Sequence, residues 1–155
     1  MKPTYILTLL LCLTYQLAFA QCFPDRHNTN AYDGWISCET SPHPVEGLDD
    51  GHWLMYDFGK VQDMYTSKIW NLNNPDHLDW NMKEAEIHYS RNGTKWDSLG
   101  MVTFSQASGI PIYEGVEGPD FGGIKARYVI ITPISNYGGS CVGFSEIRIY
   151  TTPNN

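Results

Sequence analysis

Short stretches of alternating or continuous apolar residues, separated by turn sequences, run along the whole chain. Residues 147–150 alternate with a period of two, as a half-buried strand does, whereas residues 128–131 form a continuous apolar run typical of a strand buried on both faces. Short strands at regular spacing predict one all-β domain, a β-sandwich or a jelly roll. Eight strands are predicted in this way: 35–39, 53–58, 66–72, 85–90, 96–104, 111–114, 126–132 and 143–150.

The clearest turn signal is Asn92-Gly93, which lies between two of the predicted strands. Asn-Gly is the preferred centre of a tight hairpin in which both central residues take positive φ. The same residues begin Asn-Gly-Thr, an acceptor sequence for N-glycosylation in a eukaryotic secretory pathway. Because the turn alone accounts for the asparagine and the glycine, we interpret the segment as a hairpin.

The first 20 residues have the pattern of a signal peptide. Lys2 precedes an uncharged, mostly apolar run over residues 5–17, and Ala18-Phe19-Ala20 has small residues at the spacing of a cleavage site. We therefore expect removal after Ala20, an N-terminal arm over residues 21–30 and a single domain over residues 31–151. The pattern predicts a secreted protein, in the periplasm or on the cell surface if the source is bacterial.

The charge balance narrows the class of ligand. The chain carries 17 acidic and 10 basic residues, and the predicted cleavage removes one of the basic ones. Nucleic acid is excluded as a partner because its phosphates require a basic surface, and the same charge balance disfavours anionic membrane lipid. Neutral glycans fit this charge, as do acidic glycans bridged by a metal ion. Aromatic residues make up 14% of the chain, and such residues build sugar sites as well as cores.

Five segments of the sequence carry the motifs of one domain family. They are Ala31-Tyr-Asp-Gly34, Trp53-Leu-Met-Tyr-Asp-Phe-Gly59, Tyr89-Ser-Arg-Asn-Gly-Thr-Lys-Trp96, Ala126-Arg-Tyr-Val-Ile-Ile131 and Ser145-Glu-Ile-Arg-Ile-Tyr150. In this order along the chain they resemble segments of F5/8 type C (discoidin) domains. The resemblance implies a galactose-binding-like fold, an antiparallel β-sandwich of the discoidin-like jelly-roll type, in a class that includes bacterial carbohydrate-binding modules and cell-surface lectins. Residues 69–75 are similar to bacterial glycan-associated members in particular.

The chain departs from the family pattern in two ways. Eukaryotic members usually pair a cysteine at each end of the domain, whereas Cys141 precedes the last predicted strand. Members that insert into membranes carry apolar loops flanked by basic residues, and the sequence contains no such loop. Binding to membrane lipid is therefore not expected.

If successive strands run antiparallel, every second loop emerges at the same end of the sandwich. The loops over residues 40–52, 71–84, 105–110 and 133–142 would then share one end, which we call the rim. Cys12 lies in the predicted signal peptide, and three pairings are open to the remaining cysteines. Because Cys38 and Cys141 would both lie at the rim, we predict a disulfide between them and leave Cys22 spare.

The rim contains residue types that bind sugars elsewhere. Aromatic rings stack on the C–H faces of sugars, while amides and imidazoles bind the hydroxyl groups. The alternative for the candidates below is that Trp70 faces the core and the asparagines only build turns. Asp49, Asp50 and His52 are further candidates. The residues predicted to contact a glycan are Trp70, Asn71, Asn73, His77, Trp80, Asn136 and Tyr137.

The resemblance also implies a structural calcium ion. In related glycan-binding modules it lies between the early Asp-Gly loop and the glutamate of the last strand, which correspond to Asp33 and Glu146 here. Backbone carbonyls around Asn28, Asn30 and Ser37 would complete the six to eight oxygen ligands that calcium takes. The alternative is that Glu146 pairs with an arginine or accepts backbone N–H groups. The histidine spacing does not suggest a zinc site.

No arrangement of residues in the sequence indicates catalysis. Asp49-Asp50-Gly51-His52 is the only local cluster of acid and base groups, and Asp-Asp-Gly is more typical of a solvated turn. We therefore expect a non-catalytic, lectin-like protein that binds a glycan or polysaccharide through the rim. The alternative is a secreted adhesion protein or accessory subunit that binds a partner protein, or a second copy of itself, without binding sugar.

Overall fold

In a computed structural model, residues 25–30 and 32–153 are described, and nearly all of them lie in strands and connecting loops. Within these residues no helix has both the length and the apolar character needed to cross a membrane. The strands are β1 (Trp35–Ser37), β2 (Leu54–Met64), β3 (Ser67–Asn71), β4 (Met82–Ser90), β5 (Asp97–Thr103), β6 (Val116–Glu117), β7 (Ile124–Asn136) and β8 (Val142–Ile149), and a 3₁₀ helix spans Pro75–Trp80.

The strands form two four-stranded sheets that pack face to face. The small sheet has the order β1-β8-β3-β6 and the large sheet the order β2-β7-β4-β5. Every strand pair is antiparallel. The predicted all-β antiparallel sandwich is thus confirmed. The rows of apolar residues that alternate along the strands meet between the sheets, as in Ala85 and Ile87 on β4 and Val129 and Ile131 on β7.

The predicted strand over residues 111–114 is wrong. These residues form a turn in which the Tyr113 N–H donates to the carbonyl of Ile110, and the short strand β6 follows at Val116. The carbonyl of Tyr113 accepts the N–H of His27 rather than a ladder bond, and the Tyr113 ring packs on Trp70. The segment therefore covers a sheet face instead of extending the sheet.

The predicted hairpin joins β4 to β5, but it is longer than a two-residue turn. Residues 91–96 connect the strands, and of Asn92 and Gly93 only the glycine has a positive φ, 76°. The Asn92 side-chain oxygen accepts the N–H groups of Thr94 and Lys95, at 3.0 Å each. Ser90 Oγ donates to the Lys95 carbonyl and thereby closes the loop.

A second apolar cluster lies on the outer face of the small sheet. Ile69 points into the main core, so Trp70, the next residue on β3, points outwards, where it packs with Ala107, Tyr113 and Leu78. The N-terminal segment closes over this cluster because Trp70 Nε1 donates to the Asp25 carbonyl at 2.9 Å. Residues 25–30, predicted as an arm outside the domain, are therefore bonded to the sandwich.

The four loops predicted to form the rim lie at one end. Ser37 at the end of β1 pairs with Val142 at the start of β8, and Met82 at the start of β4 pairs with Asn136 at the end of β7. The predicted disulfide between Cys38 and Cys141, which are 103 positions apart, is present and links the residue after β1 to the last of these loops. The rim is thus a cross-linked end of the molecule.

Candidate binding site

Trp70, predicted as a sugar-stacking platform, has no exposed surface. Its indole lies beneath the N-terminal segment, with the Lys68 ammonium 4.9 Å and the Arg148 guanidinium 4.4 Å from the ring centroid. A ring enclosed in this way stabilises the fold by burial and cation–π contact. It offers no face to a ligand, so this prediction is wrong.

Asn71 and Asn73 are also completely buried. Asn71 Nδ2 donates to the Met82 and Ser105 carbonyls, and its Oδ1 accepts the Met82 N–H. Asn73 Nδ2 lies within hydrogen-bonding distance of three backbone carbonyls, and its Oδ1 accepts the Gly109 N–H at 2.8 Å. With every amide group satisfied, these side chains connect backbone segments and are not available to sugar hydroxyls.

His77 and Trp80 are partly exposed and lie together at the rim. Their rings stack with centroids 3.8 Å apart and an angle of 14° between the planes. Asn74 caps the 3₁₀ helix that carries both residues, because its side chain accepts the Asp76 N–H. On the neighbouring loop, a Cβ at Gly139 would lie 2.2 Å from Trp80 Cδ1, so only glycine fits there.

Asn136 and Tyr137 lie beside this stack. The Tyr137 and Gly139 N–H groups both donate to the Asp79 carbonyl, which holds the two loops together. The Asn136 amide donates to the Gly139 and Cys141 carbonyls, and the Tyr137 hydroxyl donates to the Phe104 carbonyl. The structure therefore brings four of the seven predicted residues together, but the polar groups of Asn136 and Tyr137 already have backbone partners.

The residues predicted to hold calcium are connected by an imidazole instead. His27 Nε2 lies 2.8 Å from Glu146 Oε2, and His27 Nδ1 lies 3.8 Å from Asp33 Oδ2. The other Glu146 oxygen accepts from Arg148 Nε at 2.5 Å. Burial of the carboxyl opposes its ionisation, but the bonds from His27 and Arg148 outweigh that effect and hold the pKa of Glu146 below its usual value.

This arrangement does not fit a calcium ion. Calcium requires six to eight oxygens around one point, whereas here a ring nitrogen faces each carboxylate. Among residues 25–30 and 32–153, no group of three or more His, Cys, Asp or Glu side chains is placed to hold a metal. Calcium remains a prediction from the resemblance, and no part of the proposed function depends on it.

If the imidazole holds these carboxylates in solution, calcium will have little effect on stability. We expect the thermal midpoint of unfolding to change by less than about 1 °C between buffer with EDTA and buffer with millimolar calcium. Differential scanning calorimetry measures this directly. A rise of several degrees with calcium would show that the ion displaces His27, since a ligand bound only by the native state raises its stability. Magnesium at the same concentration is the control for ionic strength.

A groove runs across the rim beside the disulfide. It consists of two neighbouring cavities of about 210 and 310 Å³ that share His52, Pro133 and Ile134, and we call it the His52 groove. The larger of the two cavities lies within the 300–1,000 Å³ typical of small-molecule sites. The first cavity is lined further by Ser135, Asn136, Gly139, Ser140, Cys141 and Val142, and the second by His43, Leu48, Asp49, Asp50, Gly51, Glu86 and Thr132.

The imidazole of His52 is held in one orientation. Ser37 Oγ donates to the Glu39 carbonyl at 3.0 Å, so it accepts a hydrogen bond from His52 Nδ1 at 2.8 Å. In the neutral ring this leaves Nε2 as an acceptor. No described residue donates to it. His52 therefore presents a free acceptor in the part of the groove that both cavities share.

His43 closes the inner wall of the second cavity. Its Nδ1 accepts the Val45 N–H at 3.1 Å, so the neutral ring donates from Nε2 to Thr132 Oγ1 at 2.9 Å. Burial, and next the neighbouring His88, lower the pKa of His43. The ring is thus kept neutral at pH 7. His43 fixes the loop between β1 and β2 on the large sheet and thereby shapes the groove.

The groove combines acidic, neutral polar and apolar surface. Asp49 and Asp50 are exposed, and Ile134 is 55% exposed. Neither lysine nor arginine lines either cavity. Such a surface can accept hydrogen bonds from hydroxyl or amine groups while covering an apolar face. Ser135, Ser140 and Glu86 also line the groove but were not among the residues predicted to contact a glycan. They belong to strands and loops that meet only in the folded molecule.

Comparison with known families identifies one match. The sequence model of the F5/8 type C domain family matches residues 21–147 of the chain. No curated protein matches the sequence. The matched range begins before residue 31, in agreement with the bonds that tie residues 25–30 to the sandwich.

Carbohydrate-binding modules are among the solved structures with a similar fold. GH31 CBM32-2 bound to GalNAc superposes with a TM-score of 0.56 at 14% identity, over 82% of this chain and 83% of that one. The family 32 module of Clostridium perfringens NanJ, in complex with galactose, gives 0.52 at 17% identity over 79% of each chain. CBM32-3 from a family 31 glycoside hydrolase of the same species gives 0.51 at 14% identity, over 64% of this chain and 66% of that one.

Proposed function

The chain belongs to the F5/8 type C domain family, and from that premise we propose that it is a glycan-binding protein whose His52 groove holds the sugar. The observation that carries the proposal is the free His52 Nε2 acceptor in a groove that is polar on both sides and apolar along Pro133 and Ile134. Sugars present hydroxyl groups at their edges and C–H groups on their faces, and both find partners there. The sugar complexes of CBM32-2 and of the NanJ module support the ligand class.

The proposed protein binds and does not catalyse. Asp50 and His52, the acid and base groups singled out in the sequence, both line the groove, and the His52 ring is hydrogen-bonded to Ser37 rather than to a carboxylate. Export fits the disulfide, since such bonds persist in oxidising compartments. Secretion after cleavage at Ala20 is part of the proposal.

A glycan array followed by titration calorimetry tests the proposal. We expect the wild-type protein to bind a set of glycans and His52→Ala to weaken that binding about tenfold or more, which corresponds to about 1.4 kcal/mol. Asp50→Asn serves as a second groove variant, because Asp50 is exposed and we expect its replacement to preserve the fold. Thermal unfolding of each variant shows whether lost binding reflects lost structure.

His77→Ala is the matched control, because it removes the same side chain from another part of the rim. The glycan site lies in the groove if only His52→Ala weakens binding. If His77→Ala abolishes binding and His52→Ala does not, the site is the His77–Trp80 stack instead. An array without any bound glycan, together with specific capture of a purified partner protein, would replace the glycan proposal with the adhesion role.

A further inference from the structure

A cleft of about 470 Å³ lies at the end of the sandwich opposite the rim. It lies between the loop that joins β4 to β5 and the start of β7, and three cationic residues, Arg91, Lys95 and Lys125, contribute to its wall. One carboxylate, Asp97, also lines it. The chain carries only 10 lysines and arginines in all and a net charge of −7. A local excess of positive charge in such a protein favours an anionic ligand.

Two of the three cations are available to a ligand. Lys125 pairs with Asp63 at 2.6 Å. Within residues 25–30 and 32–153, neither Arg91 nor Lys95 forms an ion pair with a carboxylate. Arg91 Nε donates to the Lys125 carbonyl at 3.1 Å, which anchors the guanidinium while its two terminal nitrogens stay free. A guanidinium held in this way loses little further freedom when it binds an anion through two parallel hydrogen bonds.

The loop that carries these cations is rigid. Ser90 Oγ accepts the N–H groups of Asn92 and Gly93, and Asn92 Oδ1 accepts those of Thr94 and Lys95. Trp96 packs against Tyr128 with ring centroids 6.3 Å apart. The backbone of Lys95 is thus fixed on both sides. A positively charged site on a fixed loop is organised before the ligand arrives.

We propose that this cleft binds the sulfate or carboxylate group of an acidic saccharide, at a site separate from the His52 groove. Its volume lies within the range of small-molecule sites. Tyr89 and Ile124 supply apolar wall beside the cations, so that a sugar ring can pack next to its charged group. Of the large apolar side chains exposed among the described residues, none lines the cleft, which favours a saccharide over insertion into a membrane.

Nuclear magnetic resonance titration tests this with a sulfated disaccharide and its desulfated counterpart. We expect the sulfated sugar to shift the amide signals of residues 91–97, and the desulfated one to leave them unchanged. Arg91→Gln and Lys95→Gln should each weaken binding about fivefold. Raising the salt from 50 to 500 mM should weaken it further, since exposed charges are screened.

Lys83→Gln is the matched control, since it removes the same charge at the rim. Equal weakening by Lys83→Gln and Lys95→Gln would overturn the proposal, because net charge alone would then explain the binding. Binding of inorganic sulfate or of anionic vesicles without binding of the disaccharide would overturn it as well. His52→Ala should not change the amide shifts that the sulfated sugar causes in residues 91–97. The proposal for the His52 groove and the proposal for this cleft can therefore fail independently.

Discussion

Replacing both Cys38 and Cys141 with serine is expected to lower the free energy of unfolding by about 4–5 kcal/mol. The disulfide joins residues 103 positions apart, and in the chain-entropy model a crosslink that closes a loop of about 100 residues restricts the unfolded chain by that amount. For a domain of this size the thermal midpoint should fall by roughly 15 °C. Urea unfolding followed by tryptophan fluorescence measures the change.

Cys22→Ser is the control for the loss of a cysteine as such, and it should leave the urea midpoint unchanged. The disulfide also borders the His52 groove through Cys141. If the crosslink orders the rim, the double serine variant should bind glycan more weakly even at temperatures where it remains folded. A double variant as stable as the wild type would show that the bonds between the 3₁₀ helix and the last rim loop hold the rim without the crosslink.

The strands and the crosslink were predictable because their signals are local or follow from topology. Alternation along residues 147–150 identifies a strand without knowledge of its partner. The pairing of Cys38 with Cys141 required only the assumption that successive strands run antiparallel. The hairpin position at Asn92-Gly93 was correct as well, although its length depends on hydrogen bonds to Ser90 that the turn rule does not include.

The candidate site was less predictable from the sequence. The alternation of side chains along a strand shows which residues share a face of the sheet, but it does not show which other segments cover that face. Trp70 does point away from the main core, as a rim platform would, yet the segment around Asp25 and the loop around Tyr113 lie over it. Both covering segments are irregular, and the apolar residues at 111–113 were predicted to lie in a strand, not in a cover over Trp70. Their docking depends on tertiary contacts, and it buries Trp70 and Asn73. Asn71 is buried separately, between the backbone of Met82 and that of Ser105.

The carboxylates predicted for calcium illustrate the same limit. Asp33 and Glu146 each face one ring nitrogen of His27, at 3.8 and 2.8 Å. The group that lies between them is the imidazole of His27, a residue of the segment predicted to be an N-terminal arm. A motif carried over from a family predicts where the two carboxylates lie. Which group compensates their charge depends on residues elsewhere in the chain.

Asn73→Asp is expected to cost at least about 3 kcal/mol of unfolding free energy although it exchanges one atom. The Asn73 amide donates towards the carbonyls of His27, Asn28 and Ile110, at 3.1, 3.1 and 2.9 Å. A carboxylate would place an oxygen against three oxygens in a completely buried position. It would have to be protonated or remain unpaired, and either state is costly. Urea unfolding at pH 7 measures the loss.

Asn74→Asp is the matched control, because it makes the same exchange at the next residue. Asn74 is partly exposed and caps the 3₁₀ helix, a position that aspartate fills equally well, so stability should stay within about 0.5 kcal/mol of the wild type. The comparison also separates the two roles considered for Asn73. If Asn73 contacted the sugar, its replacement would weaken glycan binding and leave the stability of the protein unchanged. If Asn73 instead fastens the N-terminal segment and the loop at Ile110 to β3, its replacement lowers the stability first. At a low temperature, where the Asn73→Asp protein is folded, it should therefore still bind glycan in the His52 groove. Loss of binding without loss of stability would show that Asn73 contacts the sugar.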